Sequence, residues 1–146
     1  MMEIYTDGGC SGNPGPGGWA YVLINGDAEP LEKWGAEETS TNNRMEMQAV
    51  IAALEYVHTQ TAPGAITVYT DSQYVQKGIT EWIKTWKSKN WKNSAKEPVK
   101  NQDLWQRLDA LSASLPITWV WVKGHAGNKY NERCDLLTQK AIDSLS

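Results

Sequence analysis

Two short stretches, Ile4-Tyr5-Thr6-Asp7-Gly8 and Val68-Tyr69-Thr70-Asp71-Ser72, decide how this chain is read. They are near copies. Each has the composition of a strand, and each ends in Asp followed by Gly or Ser, where a chain turns away. Side chains alternate along a strand, so Tyr5 and Asp7 share one face, as do Tyr69 and Asp71. If the two strands are parallel neighbours, about 4.8 Å apart, the aspartates stand side by side at the carboxyl edge of a sheet. Open α/β sheets bind ligands at that edge. Adjacent carboxylates repel, so one takes a proton or both share a cation, and a hard divalent ion suits oxygen ligands. Either Asp alone reads as the start of a turn; the matched pair favours a shared site.

Working outward, strands are expected over 3–7, 19–24 and from Leu31 to about Gly35, with a glycine-rich loop over 8–18 and a hairpin signal at Asn25-Gly26-Asp27. A helix begins near Asn43, its apolar face marked by Ala49, Val50, Ala53, Leu54 and Val57. A strand over 66–71 follows, then a short helix ending near Gly78, helices over 81–89 and 103–111, a strand over 117–123 and a last helix over 131–145. The order β-β-β-α-β-α-α-α-β-α implies antiparallel hairpins, then parallel crossovers: an α/β protein with a mixed sheet and helices on both faces.

Two further acids are ambiguous. Glu46 lies on the core-facing stripe of its helix, where a charge needs a partner, or it closes a capping box with Asn43. Asp135 either joins the other acids or suits the dipole of the last helix. His125, in Gly124-His125-Ala126-Gly127, is either a proton carrier or an exposed loop residue, and His58 is expected to complement the end of its helix.

The 146 residues suit one domain with its own core. No apolar run reaches the length of a membrane span, and the N-terminus lacks a basic flank followed by an apolar stretch. Two cysteines, Cys10 and Cys134, make no disulfide framework, so both are expected reduced, Cys134 under the last helix, in a cytoplasmic protein. The net charge of −3 speaks against nucleic acid only as an average. Residues 1–76 hold ten acidic groups and two basic ones, whereas 77–100 hold seven Lys and two Glu. Three of the eight Trp, at 82, 86 and 91, fall in that basic segment. Lysines interleaved with aromatics suit a polyanion; the same pattern also describes an amphipathic helix with its indoles inward.

The chain resembles type 1 ribonuclease H over nearly its whole length. The resemblance rests on Tyr5-Thr6-Asp7-Gly8, Gly12-Asn13-Pro14-Gly15, Thr41-Asn42-Asn43-Arg44-Met45-Glu46, Thr70-Asp71-Ser72-Gln73-Tyr74, Trp121-Val122-Lys123-Gly124-His125 and Asn131-Glu132-Arg133-Cys134-Asp135, in that order. It implies a ribonuclease H-like fold with a five-stranded sheet, one catalytic domain over 1–146, and an endonuclease that cuts the RNA strand of RNA–DNA hybrids, leaving 5′-phosphate and 3′-hydroxyl ends. The metal-binding carboxylates fall on Asp7, Glu46, Asp71 and Asp135, and the catalytic histidine on His125. Two Mg²⁺ ions are implied, with Mn²⁺ as a substitute. Substrate contacts fall on Cys10, Asn13, Asn43 and Gln73. The basic protrusion falls on 77–100, where Trp82, Lys84, Lys87, Lys89 and Lys92 are expected to meet the DNA strand. Gly9 stands where Ser or Ala is usual, and the extra N-terminal hybrid-binding domain of eukaryotic members is not expected. A monomer without membrane contact is expected. An integrase-like strand-transfer enzyme, a hybrid-binding module without catalysis and a structural cation site are the rival readings; the full set of four acids argues against the first two.

Overall fold

The computed structural model describes residues 2–60, 64–123 and 128–145. Its sheet has five strands: β1 (Met2–Cys10), β2 (Gly15–Asn25), β3 (Leu31–Ser40), β4 (Ile66–Thr70) and β5 (Ile117–Trp121). They lie in the order β3-β2-β1-β4-β5. The first three form an antiparallel meander, and β1–β4 and β4–β5 are parallel. The expected mixed sheet is present. The two near-copies pair in register, Ile4 with Val68, Tyr5 with Tyr69 and Thr6 with Thr70. The stacked rings of Tyr5 and Tyr69, with centroids 4.5 Å apart, repeat that register in side chains.

Alternation along β1 splits the core in two. Ile4 packs with the apolar face of α1 (Asn42–Val57), including Val50, Ala53, Leu54 and Val57, and with Trp105 and Leu108 of α4 (Gln102–Ser112). Tyr5 packs on the opposite face with Cys134 and Leu137 of α5 (Lys129–Asp143). The parallel crossover from β4 to β5 runs through α2 (Gln73–Lys77), a single π-helical turn (Gly78–Trp82) and α3 (Ile83–Ser88) before α4.

One expectation is corrected. The glycine-rich arm is not a loop throughout: β1 continues to Cys10, and Gly8, Gly9 and Cys10 pair with Trp19, Gly18 and Gly17 of β2. The short helix α2 does end at Lys77 with Gly78 as its C-cap, as expected, but helical backbone continues beyond it as the π-helical turn. A Cβ at Gly78 would lie 2.0 Å from the Trp105 ring, so the glycine makes room for a fully buried indole. His58, at the C-cap of α1, places Nε2 2.7 Å from the Leu111 carbonyl oxygen, tying α1 to α4. Both cysteines are free thiols; Cys134 is buried, and its Sγ donates to the Tyr5 carbonyl. Among the described residues, no helix is long and apolar enough to cross a membrane.

Candidate active site

Asp7 and Asp71 meet as the strand register requires. Asp7 lies within β1, and Asp71 directly follows β4, where the Trp121 indole N–H donates to its carbonyl at 3.1 Å. Ser72 then caps α2 by accepting from the Val75 N–H, so the chain turns away at once.

Glu46 arrives from α1. The helix is capped by Thr41, whose Oγ1 accepts from the Arg44 N–H, and not by Asn43. Glu46 is therefore free of the capping box and projects from the second turn. Gly8 makes its approach possible: a Cβ there would lie 2.3 Å from the Met45 carbonyl carbon and 2.4 Å from the Glu46 nitrogen. Helix backbone rests directly on strand backbone, one residue after Asp7.

The result is three carboxylates with one oxygen each mutually within 4.8 Å. They line a cleft of about 280 Å³ together with Gly8, Gly9, Cys10, Asn42, Asp135, Thr138 and Gln139. Glu46 Oε1 and Asp71 Oδ1 are buried without a hydrogen-bond partner among the described residues. Burial, then the charges of Asp71 and Asp135, push the Asp7 carboxyl up to about 8; a side-chain contact from Thr138 and the Gly8 backbone work the other way. Burial, followed by the charges of Asp7 and Asp71, also holds Glu46 well above the usual carboxylate range. Acids crowded at this cost, with oxygens unpaired, have the donor set of a hard cation site.

Asp135 is exposed and stands on the rim of the cleft, outside the tight group of three. Its helix starts at Lys129, capped by Asn128, so Asp135 sits in the second turn and Glu132 is the acid of the first. The dipole reading thus belongs to Glu132. His125 lies outside the described residues.

Of the expected substrate contacts, Cys10 lines the cleft, while Asn13, Asn43 and Gln73 are exposed and do not line it. Asn13 already has an internal partner: its Oδ1 accepts from the Asn42 N–H, and Asn42 Oδ1 accepts from the Cys10 N–H at 2.8 Å. Asn42 and Thr138 escaped the sequence reading. Asn42 stood inside a quoted motif; Thr138 is a single Thr in a helix, its only signal being its place three residues after Asp135.

The basic segment is anchored by its aromatics. Trp82, Trp86 and Trp91 are half-buried against the core. Their rings form a chain with Tyr74 and the buried Trp105, Trp86 standing 5.5 Å from Trp105 and 5.9 Å from Trp82. Both sequence readings therefore meet here: indoles inward, lysines outward. Lys84, Lys87, Lys89 and Lys92 are exposed, and Lys87 Nζ pairs with Asp109 at 3.2 Å. The exposed stretch 92–98 is folded back by Asn93, whose Oδ1 accepts from the Ala95 and Glu97 N–H groups.

A larger cleft of about 550 Å³ lies beside α5, lined by Glu29, Glu32, Tyr130, Arg133 and Leu136 among others. It contains none of the clustered acids, and its Arg133 is already paired with Glu32. Size does not make it the site of chemistry.

This fold and this acidic edge define a class of nucleic-acid enzymes. The RNase H family model matches residues 1–143, and the chain belongs to the RNase H family. It is 54% identical to the ribonuclease H of Treponema denticola, covering 99% of this chain and 98% of that protein. It is 55% identical to the ribonuclease H of Chromobacterium violaceum, covering 99% and 96%. Among solved structures it is similar to LC9-RNase H1, a type 1 RNase H, with TM-score 0.86 and 29% identity, covering 99% of this chain and 73% of that one.

Proposed function

We propose that the chain is a single-domain, divalent-cation-dependent endonuclease that hydrolyses the RNA strand of RNA–DNA hybrids, leaving 5′-phosphate and 3′-hydroxyl ends. The observation that carries this reading is the cluster of Asp7, Glu46 and Asp71 with buried, unpartnered oxygens, in a member of the RNase H family.

Asp7, Glu46, Asp71 and Asp135 would hold the cations, Mg²⁺ or Mn²⁺. Two such ions supply an activated water and charge stabilisation at the departing 3′ oxygen. The crowded acids fit that need, since cations offset a repulsion that protons otherwise relieve. His125 is assigned proton transfer at the leaving oxygen. Cys10, Asn13, Asn43 and Gln73 are assigned to the minor groove, where the 2′-hydroxyl separates RNA from DNA. Trp82 offers a flat face to a sugar, and Lys84, Lys87, Lys89 and Lys92 offer charge to the DNA phosphates. Shape and sugars are read, so cutting is largely independent of sequence.

The test is incubation with labelled RNA–DNA hybrid, RNA duplex and DNA duplex, each with Mg²⁺ and with EDTA. Cleavage of the hybrid alone, abolished by EDTA, is expected. Cleavage that survives EDTA, or no cleavage of the hybrid, would overturn the reading.

A further inference from the structure

One oxygen in the cleft is not accounted for by the acids. Thr138 lies on α5 one turn beyond Asp135, so the two share a helix face. It is 4% exposed and lines the same cleft as Asp7. A Thr in a helix ordinarily satisfies its hydroxyl on the carbonyl of the preceding turn. Thr138 Oγ1 makes no such bond and is buried without a hydrogen-bond partner of normal geometry. Four side-chain atoms among the described residues share that condition, and three of them, Glu46 Oε1, Asp71 Oδ1 and Thr138 Oγ1, line this one cleft. Orphaned oxygens gathered in one place mark a site whose partners arrive with a ligand.

The position of Thr138 is set from the sheet. A Cβ at Gly18 would lie 2.7 Å from the Thr138 carbonyl oxygen and 3.0 Å from Ala141 Cβ. The bare glycine lets α5 rest on β2 where β2 runs beside Gly9, two residues beyond Asp7. Thr138 thereby lines the cleft that holds the Asp7 carboxylate, its hydroxyl without a hydrogen-bond partner among the described residues. A carboxylate that binds a cation through one oxygen can still rotate unless a donor holds it, and outer-shell donors commonly do so.

We propose that Thr138 is a positioning residue of the cation site: its hydroxyl, unpartnered without the ion, donates to the Asp7 carboxylate when a divalent cation is bound and fixes the orientation in which Asp7 meets it. This rests on the reading of the acids as a cation site.

The experiment titrates Mn²⁺ alone into the wild type, Thr138→Val and Thr138→Ser, counting free ion by electron paramagnetic resonance, beside melting curves in EDTA. Thr138→Val keeps the volume and removes the hydroxyl. It is expected to weaken Mn²⁺ binding by about 10-fold, with a melting temperature in EDTA unchanged or higher. Thr138→Ser is expected to stay near the wild type in affinity. In hybrid cleavage, Thr138→Val should lose rate at low metal and recover it at high metal, with KM for the hybrid unchanged. Equal affinity in wild type and Thr138→Val would overturn the inference while leaving the cation site standing. So would affinity falling together with melting temperature in both variants, the sign of a packing role. Absence of Mn²⁺ binding in the wild type would bring down the site reading itself.

Discussion

The acidic edge and the basic segment solve opposite problems. At the edge, three carboxylates from β1, α1 and the end of β4 are pressed together, two of them with buried oxygens that no described residue satisfies. In the 77–100 segment the charges are spread in solvent, and the rings beneath them carry the packing. The first region is strained by its own charge and positioned by contacts far apart in sequence. The second is electrostatically relaxed and built from residues four or five apart, with Trp105 as its distant support. Under the proposed function, the two places are exposed to different insults: chemistry would depend on geometry at the edge, whereas grip would depend on summed charge.

The sharpest way to break this comparison is Asp7→Asn. Hybrid cleavage in Mg²⁺ should fall to the level of the EDTA control, while the melting temperature of the metal-free protein stays level or rises. A gain of about 1 kcal/mol corresponds to about 2–4 °C at this size. A clear fall in that temperature would show that the acids are not in conflict.

A matched pair of glycine variants separates the regions next. Gly8→Ala forces a methyl into α1 backbone, and Gly78→Ala forces one into the Trp105 ring. Each should cost about 1–3 kcal/mol by overpacking. Gly8→Ala should depress kcat by moving Glu46, whereas Gly78→Ala should mainly raise KM by tilting the indoles. Identical kinetic signatures would erase the distinction.

The pH dependence of stability follows from the edge. The folded Asp7 carboxyl titrates near 8 against 3.8 as its ordinary value, so across that interval the folded chain binds more protons than the unfolded one. Stability of the metal-free protein should therefore fall as pH rises from about 4 to 8. Glu46 adds with the same sign. The carboxylates of Glu32 and Asp103, held low by hydrogen bonds from Arg133 and Arg44, act oppositely and lose their contribution below pH 4. Calorimetry in EDTA should show a higher melting temperature at pH 5 than at pH 8, with the difference reduced in Asp7→Asn.

The smallest effects belong to the basic segment. Changing Lys87, Lys89 and Lys92 together to Ala should raise KM, spare kcat and flatten the salt dependence of binding. Each lysine lost from a phosphate lowers the slope by about 0.9. Lys87 is paired with Asp109, so its single variant should change the slope less than Lys89→Ala or Lys92→Ala. An equal change would show that the pair opens on binding.

Much of this was legible beforehand because it is local or repeated. The twin strand endings announced Asp7 and Asp71, and the helical spacing of Ala49, Val50, Ala53 and Val57 announced the buried face of α1. Other features were not, because one residue type serves several purposes. Gly8 read as a turn signal and Gly78 as a helix end, yet both also serve close approach, which only the partner, Met45 or Trp105, reveals. Glu46 read equally well as a cap, until Thr41 proved to hold that place. Thr138 carried no signal beyond its place three residues after Asp135, since a Thr in a helix is unremarkable until its hydroxyl is found unpaired.

Periodicity and the order of the elements, then, determined the mixed sheet, its two helical layers and the pair of acids at one edge, because strand alternation and right-handed crossovers leave few other arrangements. The residues by themselves left Glu46 open, although the resemblance placed it with that pair; tertiary structure decided how Glu46 reaches the pair, that Thr138 lines the same cleft and that Asp135 stands on the rim. Those positions depend on how closely α1 and α5 settle on the glycines of β1 and β2, a distance set by packing across the whole sheet.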